Sequence, residues 1–263
     1  MSDQRTLWKR RAAIAFGMAV VTGWVIGAPH LSSLWRPRLT FRDLPGLAPF
    51  RELETSGGIS SGAGLLAGLD APTPPDPAQQ ERIAAVLAAP CAALFGDMAD
   101  PRLPIAFFSD FNCPNCLLLN ATLEEFLAAR PDDLRIVRHQ LPLLGAASTV
   151  ASQAALAADL QGGYGAMHDG LTRARMVTDL NAVVRIAESA GLDGQQLVAD
   201  MQTDRIASAL DRAKAVAAVF GFYGTPATVI GRTMFLGNLP KADVVHIIDE
   251  ELAALPMACP PAA

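Results

Sequence analysis

Charge is scarce in this chain. Asp, Glu, Lys and Arg make up 18% of its 263 residues, aromatic residues 6%, and the formal net charge is −5. So few cations on a slightly acidic chain leave no electrostatic footprint for nucleic acid. Cysteines number four, Cys91, Cys113, Cys116 and Cys259, and only one pair of them is close in sequence. A zinc ribbon needs a second close pair, so that class is excluded. His30, His139, His168 and His246 are scattered and build no metal centre. No metal and no cofactor is therefore expected. No internal repeat is visible, which excludes a repeat architecture.

Apolar residues reach 51%, a figure swollen by alanine, which favours helices more than deep cores. The length suffices for one well-cored domain plus additional segments. Arg5, Lys9, Arg10 and Arg11 precede an uncharged run from Ala12 to Ala28. A basic flank followed by an apolar stretch has the layout of an export signal. Pro29 follows directly, and proline there opposes cleavage, so residues 1–28 are expected to be an uncleaved anchor in or through the inner membrane. A cleaved signal peptide and a soluble product are the alternative. Either way the basic flank stays in the cytoplasm and the rest is exported, to a compartment where disulfides persist.

Residues 29–89 read as a linker or loosely packed lead-in. Gly57-Gly58 and Ser60-Ser61-Gly62 make it flexible, and Pro72, Pro74, Pro75 and Pro77 form a stiff extended piece. Leu44, Leu47, Phe50 and Leu53 are placed to dock on the main domain at an unspecified site, and residues 78–89 read as a short helix.

The main domain is expected over 90–259. Leu103 to Phe108 is an apolar run that predicts a buried strand. A helix follows from Cys113 to Arg130, with Leu119, Leu123, Phe126 and Leu127 on one face and Pro114 in its first turn. Leu134 to Val137 is a second strand, parallel to the first through this crossover. A helical block comes next, with Ser148, Asp179, Asp193 and Thr203 as N-caps and Gly191 and Gly221 as stops. Ala227–Ile230 and Thr233–Leu236 then read as a hairpin around Gly231-Arg232, before a last helix opened by Pro240. The predicted class is α/β: a thioredoxin-like fold with a helical insertion at about 146–210, preceded by the N-terminal membrane-targeting helix and the flexible lead-in.

Cys113-Pro114-Asn115-Cys116 sits where a strand ends and a helix begins. The first helical turn offers unpaired N–H groups and the positive end of the macrodipole, both of which favour a thiolate at Cys113. Cys116 lies one turn in, on the apolar side, as the partner that resolves a mixed disulfide, and this spacing lets the two sulfurs bond. Half a zinc site or a copper-carrier loop fits a bare pair as well, since two thiolates suit Cu(I). Gly224-Thr225-Pro226 directly before a strand favours the redox reading. Proline leading a core strand is a candidate cis residue. Beside the helix start it would offer the Thr225 backbone to an extended substrate. Thr225 and Pro226 are thus the expected substrate-binding residues. Cys91 and Cys259 flank the domain and are expected to pair as a structural staple, with a second, electron-relaying redox pair as the alternative.

The stretches FSDFNCPNC at 108–116, QLPLLG at 140–145, YGAMHDGL at 164–171 and GTPATVI at 224–230 resemble the signatures of the DsbA-like thiol–disulfide oxidoreductases. The resemblance spans roughly residues 100–254. It implies an exported thioredoxin fold with an inserted helical domain, Cys113 as nucleophile, Cys116 as resolving thiol and Pro226 as cis-proline. Its partners would be exported unfolded or disulfide-bearing proteins and a membrane redox protein. Asn115 stands where the best-known oxidase has histidine, and Thr225 is common in isomerase and reductase branches, so the resemblance leaves dithiol oxidase, isomerase and reductase open.

Overall fold

The structure, a computed structural model, describes residues 39–54, 57–60, 76–174, 177, 179–257 and 259. The predicted anchor over 1–28 and the prolines at 72, 74 and 75 lie outside the described residues. Contacts divide the chain between Leu39 and Thr40, and the fold below is that of the second unit. Among the described residues no helix is long and apolar enough to cross a membrane.

Six strands form one sheet in the order β1-β2-β6-β5-β3-β4. They are β1 (Phe41–Asp43), β2 (Arg51–Leu53), β3 (Leu103–Ser109), β4 (Leu134–Gln140), β5 (Ala227–Ile230) and β6 (Thr233–Leu236). The apolar run of β3 takes a central place, parallel to β4 and antiparallel to β5. β5 and β6 make the predicted hairpin. β4 runs three residues beyond the predicted Val137, because Arg138, His139 and Gln140 continue the ladder opposite Phe107, Phe108 and Ser109.

The lead-in is not loose over its first part. β2 adds to β6 in parallel and β1 turns back on β2. Leu47, Phe50 and Leu53 are buried, which is the docking site the sequence left open. Arg51 fastens this edge: its guanidinium donates to Thr233 Oγ1 at 2.8 Å and to the buried Glu251 at 2.9 Å. Glu251 also accepts from the Arg232 N–H and the Thr233 hydroxyl, so a buried carboxylate has its lone pairs satisfied.

Helices α1 (Pro77–Ala88) and α2 (Pro90–Phe95) follow, α1 capped by Asp76, which accepts from the Gln79 N–H at 2.7 Å. α3 (Pro114–Ala129) joins β3 to β4 and buries Cys116, Leu119, Leu123 and Phe126. The insertion holds α4 (Ala146–Asp159), α5 (Tyr164–Ala174), α6 (Leu180–Ser189) and α7 (Gly194–Asp200). It has its own core, in which Ala154, Met167, Val183 and Leu197 are fully buried. Asp179 and Asp193 cap α6 and α7. Thr203 precedes α8 (Asp204–Phe220) without a side-chain cap bond, and the helix ends at left-handed Gly221. Ser148 is not a cap: α4 begins at Ala146, and Ser148 is buried inside its first turn. α8 brings Ala213, Val216 and Phe220 into the sheet core, so the block returns to the main layer before its end. α9 (Lys241–Ala253) closes the fold.

Candidate active site

The dithiol turn lies at the carboxyl end of β3. The chain leaves Ser109 and folds back through Asp110-Phe111-Asn112, the Cys113 N–H donating to the Asp110 carbonyl at 3.1 Å. Asp110 is buried, and its carboxylate gathers three segments. It accepts from the Asn112 N–H at 2.8 Å, from the Leu143 and Leu144 N–H groups at 2.7 and 2.9 Å, and from the Ser148 hydroxyl at 2.6 Å. One side chain thus ties the dithiol turn to the loop after β4 and to the start of α4. Its usable signal in the sequence was the Asp-x-Asn turn pattern just ahead of a helix.

Cys113 is the N-cap of α3, and its sulfur accepts from the Cys116 N–H at 3.1 Å. Its thiol reaches the Thr225 carbonyl at 3.4 Å. Both sulfurs are free thiols, and both are buried. Their environments push them apart. The Cys116 thiol donates to Cys113 and, against the cost of burial and with help from the Ser60 side chain and the Cys116 N–H, holds the Cys113 thiol at about 6. Burial, then the adjacent Cys113 sulfur, pushes the Cys116 thiol far above the usual thiol range. The pair therefore comprises a stabilised thiolate on the helix end and a protonated donor one turn inside.

The Thr225–Pro226 bond is cis, and Thr225 is fully buried against the cysteine turn. Pro226 leads into β5, its carbonyl accepting from the Gly237 N–H at 2.8 Å. Thr225 and Cys113 are brought together although 112 positions separate them. Cys91 and Cys259 are joined in a disulfide across 168 positions, bracketing the dithiol in the sequence.

His139 stacks on Phe108 and bonds the Leu94 carbonyl at 2.8 Å, and burial lowers it to about 4. His168 packs between Phe111 and Tyr164, burial again lowering its pKa. The Tyr164 hydroxyl accepts from Gln140, which couples the YGAMHDGL helix to the end of β4. Met167 and Met201 are buried in the insertion core.

The sequence reading missed one component. Residues 57–60, read as flexible, lie beside the dithiol: Ser60 pairs with Thr225 as an antiparallel bridge, and Gly58 pairs with Asn238. Nothing in the Gly-Gly-Ile-Ser composition marks a strand.

The sequence profile described as a DSBA-like thioredoxin domain matches residues 104–249. A thioredoxin-like oxidoreductase from Silicibacter pomeroyi is 31% identical, with a TM-score of 0.56 over 60% of this chain and 95% of that one. A periplasmic thioredoxin-like protein from Salmonella enterica serovar Typhimurium is 27% identical, with a TM-score of 0.53 over 62% of this chain and 95% of that one. Among curated proteins, a Na(+)/H(+) antiporter NhaA from Herminiimonas arsenicoxydans is 23% identical over 150 residues, 57% of this chain. The chain spans about a quarter of that relative's length, the match covering 24% of it.

Proposed function

Because the chain belongs to the DSBA-like thioredoxin domain family, we propose that it exchanges disulfides with exported proteins through Cys113 and Cys116, and that it works as a dithiol oxidase. A substrate thiolate attacks Cys113 Sγ of the oxidised pair. The internal disulfide breaks, and Cys116 leaves and takes a proton. A second substrate thiolate then attacks the substrate sulfur of the mixed disulfide and releases Cys113 as a thiolate. The substrate is oxidised by two electrons and the pair is reduced by two. An oxidising membrane partner returns the pair to the disulfide.

The observation that carries disulfide exchange is the stabilised Cys113 thiolate at the start of α3, which accepts the Cys116 N–H at 3.1 Å and has its pKa lowered to about 6; the oxidase direction is the part the redox potential decides. A thiolate stabilised in the folded protein is a good leaving group, and it stabilises the reduced form, which makes the disulfide an oxidant. The Cys113 contribution to the dithiol form is fully present above the ordinary thiol pKa of 9.0 and is lost as pH falls through about 6. Thr225 and Pro226 form the substrate platform in this reading, the Thr225 backbone pairing with an extended segment while Pro226 contributes no competing N–H. The Cys91–Cys259 bond is a structural staple. The basic flank and apolar run at 5–28 support an extracytoplasmic location with the N-terminus as anchor. In domain terms, 1–28 is the targeting segment and 90–259 the catalytic domain, to whose sheet residues 41–53 add two strands.

Equilibration with glutathione redox buffers tests the direction. The oxidase reading predicts a potential well above the roughly −270 mV of a thioredoxin-type reductant, toward the roughly −120 mV of a strong dithiol oxidant. A value at or below the thioredoxin figure would assign the reductase direction instead.

A further inference from the structure

Cys113 is completely buried, which is at odds with a sulfur that must meet the sulfur of another polypeptide. The cover is the chain itself. Four backbone hydrogen bonds lay residues 57–60 across the site as an extended strand. The Gly57 N–H donates to the Leu236 carbonyl at 2.9 Å, and the Asn238 N–H donates to the Gly58 carbonyl at 3.0 Å. The Ser60 N–H donates to the Thr225 carbonyl at 2.7 Å, and the Thr225 N–H donates to the Ser60 carbonyl at 2.8 Å. Both backbone groups of Thr225 are thereby used by the chain itself. Ile59 packs on the sheet core. Gly58 lies over the dithiol turn: a Cβ there would stand 3.0 Å from Asn115 Oδ1, and one at Gly57 would stand 2.2 Å from the Asn238 carbonyl oxygen.

We propose that the edge formed by Leu236, Asn238 and Thr225 is a docking groove for an extended client segment with small residues over the dithiol turn, and that Gly57–Ser60 fills it in cis until a client strand displaces it. The proposal rests on the reading of Cys113 as the reacting sulfur. Backbone pairing recognises an extended chain with little regard for its side chains. A client strand can make the same four bonds, so displacement exchanges like for like. The close fit at Gly57 and Gly58 restricts the client to glycine-sized residues at those two places, the one side-chain demand the groove makes.

The test uses the full chain with two variants that unseat the strand by unrelated means. Ser60→Pro removes the N–H given to Thr225, and Gly57→Val places side-chain atoms against the Asn238 backbone. The probe is iodoacetamide on reduced protein, read by mass spectrometry across pH so that accessibility (the plateau rate) separates from thiolate fraction (the midpoint). The plateau for Cys113 rises about tenfold or more in both variants, the scale set by a few net-weak backbone bonds. The midpoint moves up as the Ser60 side chain leaves. A peptide of residues 56–62, Ser-Gly-Gly-Ile-Ser-Ser-Gly, slows alkylation of the variants and leaves the parent unchanged. Parent protein carrying Cys116→Ala and trapped with a cysteine peptide on Cys113 shows faster amide exchange at residues 57–60, a readout that needs neither strand variant. Unchanged plateaus, or unchanged amide exchange in the trapped protein, with disulfide exchange intact, overturn the groove alone. Absence of any exchange at Cys113 in the parent overturns the redox reading on which it rests.

Discussion

Replacing Cys113 with alanine abolishes disulfide exchange, a loss on the order of 10³-fold or more, as expected when the reacting sulfur itself is removed. Replacing Cys116 with alanine has a different result. The remaining Cys113 still attacks an added disulfide, but no second thiol resolves the product, so protein and peptide accumulate as a mixed disulfide. The asymmetry follows from the pair's surroundings. Cys113 accepts the Cys116 N–H at the end of α3 and is held at about 6. Cys116 sits deeper, its pKa pushed up by burial and by its neighbour. Non-reducing mass spectrometry with a disulfide peptide reads both outcomes. Adduct formation on Cys116 in the Cys113→Ala protein at a comparable rate would reverse the assignment.

The second large effect concerns stability. Changing Cys91 and Cys259 together to alanine removes a cross-link that spans 168 positions. In the chain-entropy model, closing so long a loop restrains the unfolded chain by roughly 5 kcal/mol. Cys91 is buried on α2, and Cys259 packs against the same core, so the link also pins the end of the chain beside the helices that precede β3. Urea unfolding of the double variant should show a loss of that order while Cys113 remains reactive. The double change avoids leaving one unpaired thiol. Unchanged stability with collapsed turnover would make the pair an electron relay instead of a staple.

The parts of this fold that were legible in the sequence are those with local signals. β3 announced itself as an apolar run, and the β5–β6 hairpin as two short apolar segments around Gly231-Arg232. The caps at Asp179 and Asp193 were readable because a short acidic side chain before a periodic run has few other uses. The dithiol turn was readable because proline directly after Cys113 sets the first helical turn. What escaped depends on long-range pairing. β1 and β2 are three residues each, and the β2–β6 pair is fastened by Arg51, whose partners Thr233 and Glu251 lie some 180 to 200 positions away. The segment at Gly57–Ser60 reads as a linker by composition, and only the backbone groups of Thr225, Leu236 and Asn238 make it a strand. Ser148 was taken for a cap because serine favours caps, yet its hydroxyl is committed to Asp110, a partner 38 positions back. Asp110 itself carried a local turn signal, but its larger part, holding Leu143, Leu144 and Ser148 to the dithiol turn, is set by tertiary structure.

The most direct test of a stabilised Cys113 thiolate is the pH titration of thiolate ultraviolet absorbance in the reduced protein, set beside the Cys113→Ala variant. One transition with a midpoint near 6 is expected, absent from the variant, with Cys116 silent up to far higher pH. A first transition in the ordinary thiol range, or one near 6 that survives the loss of Cys113, would contradict a stabilised Cys113 thiolate.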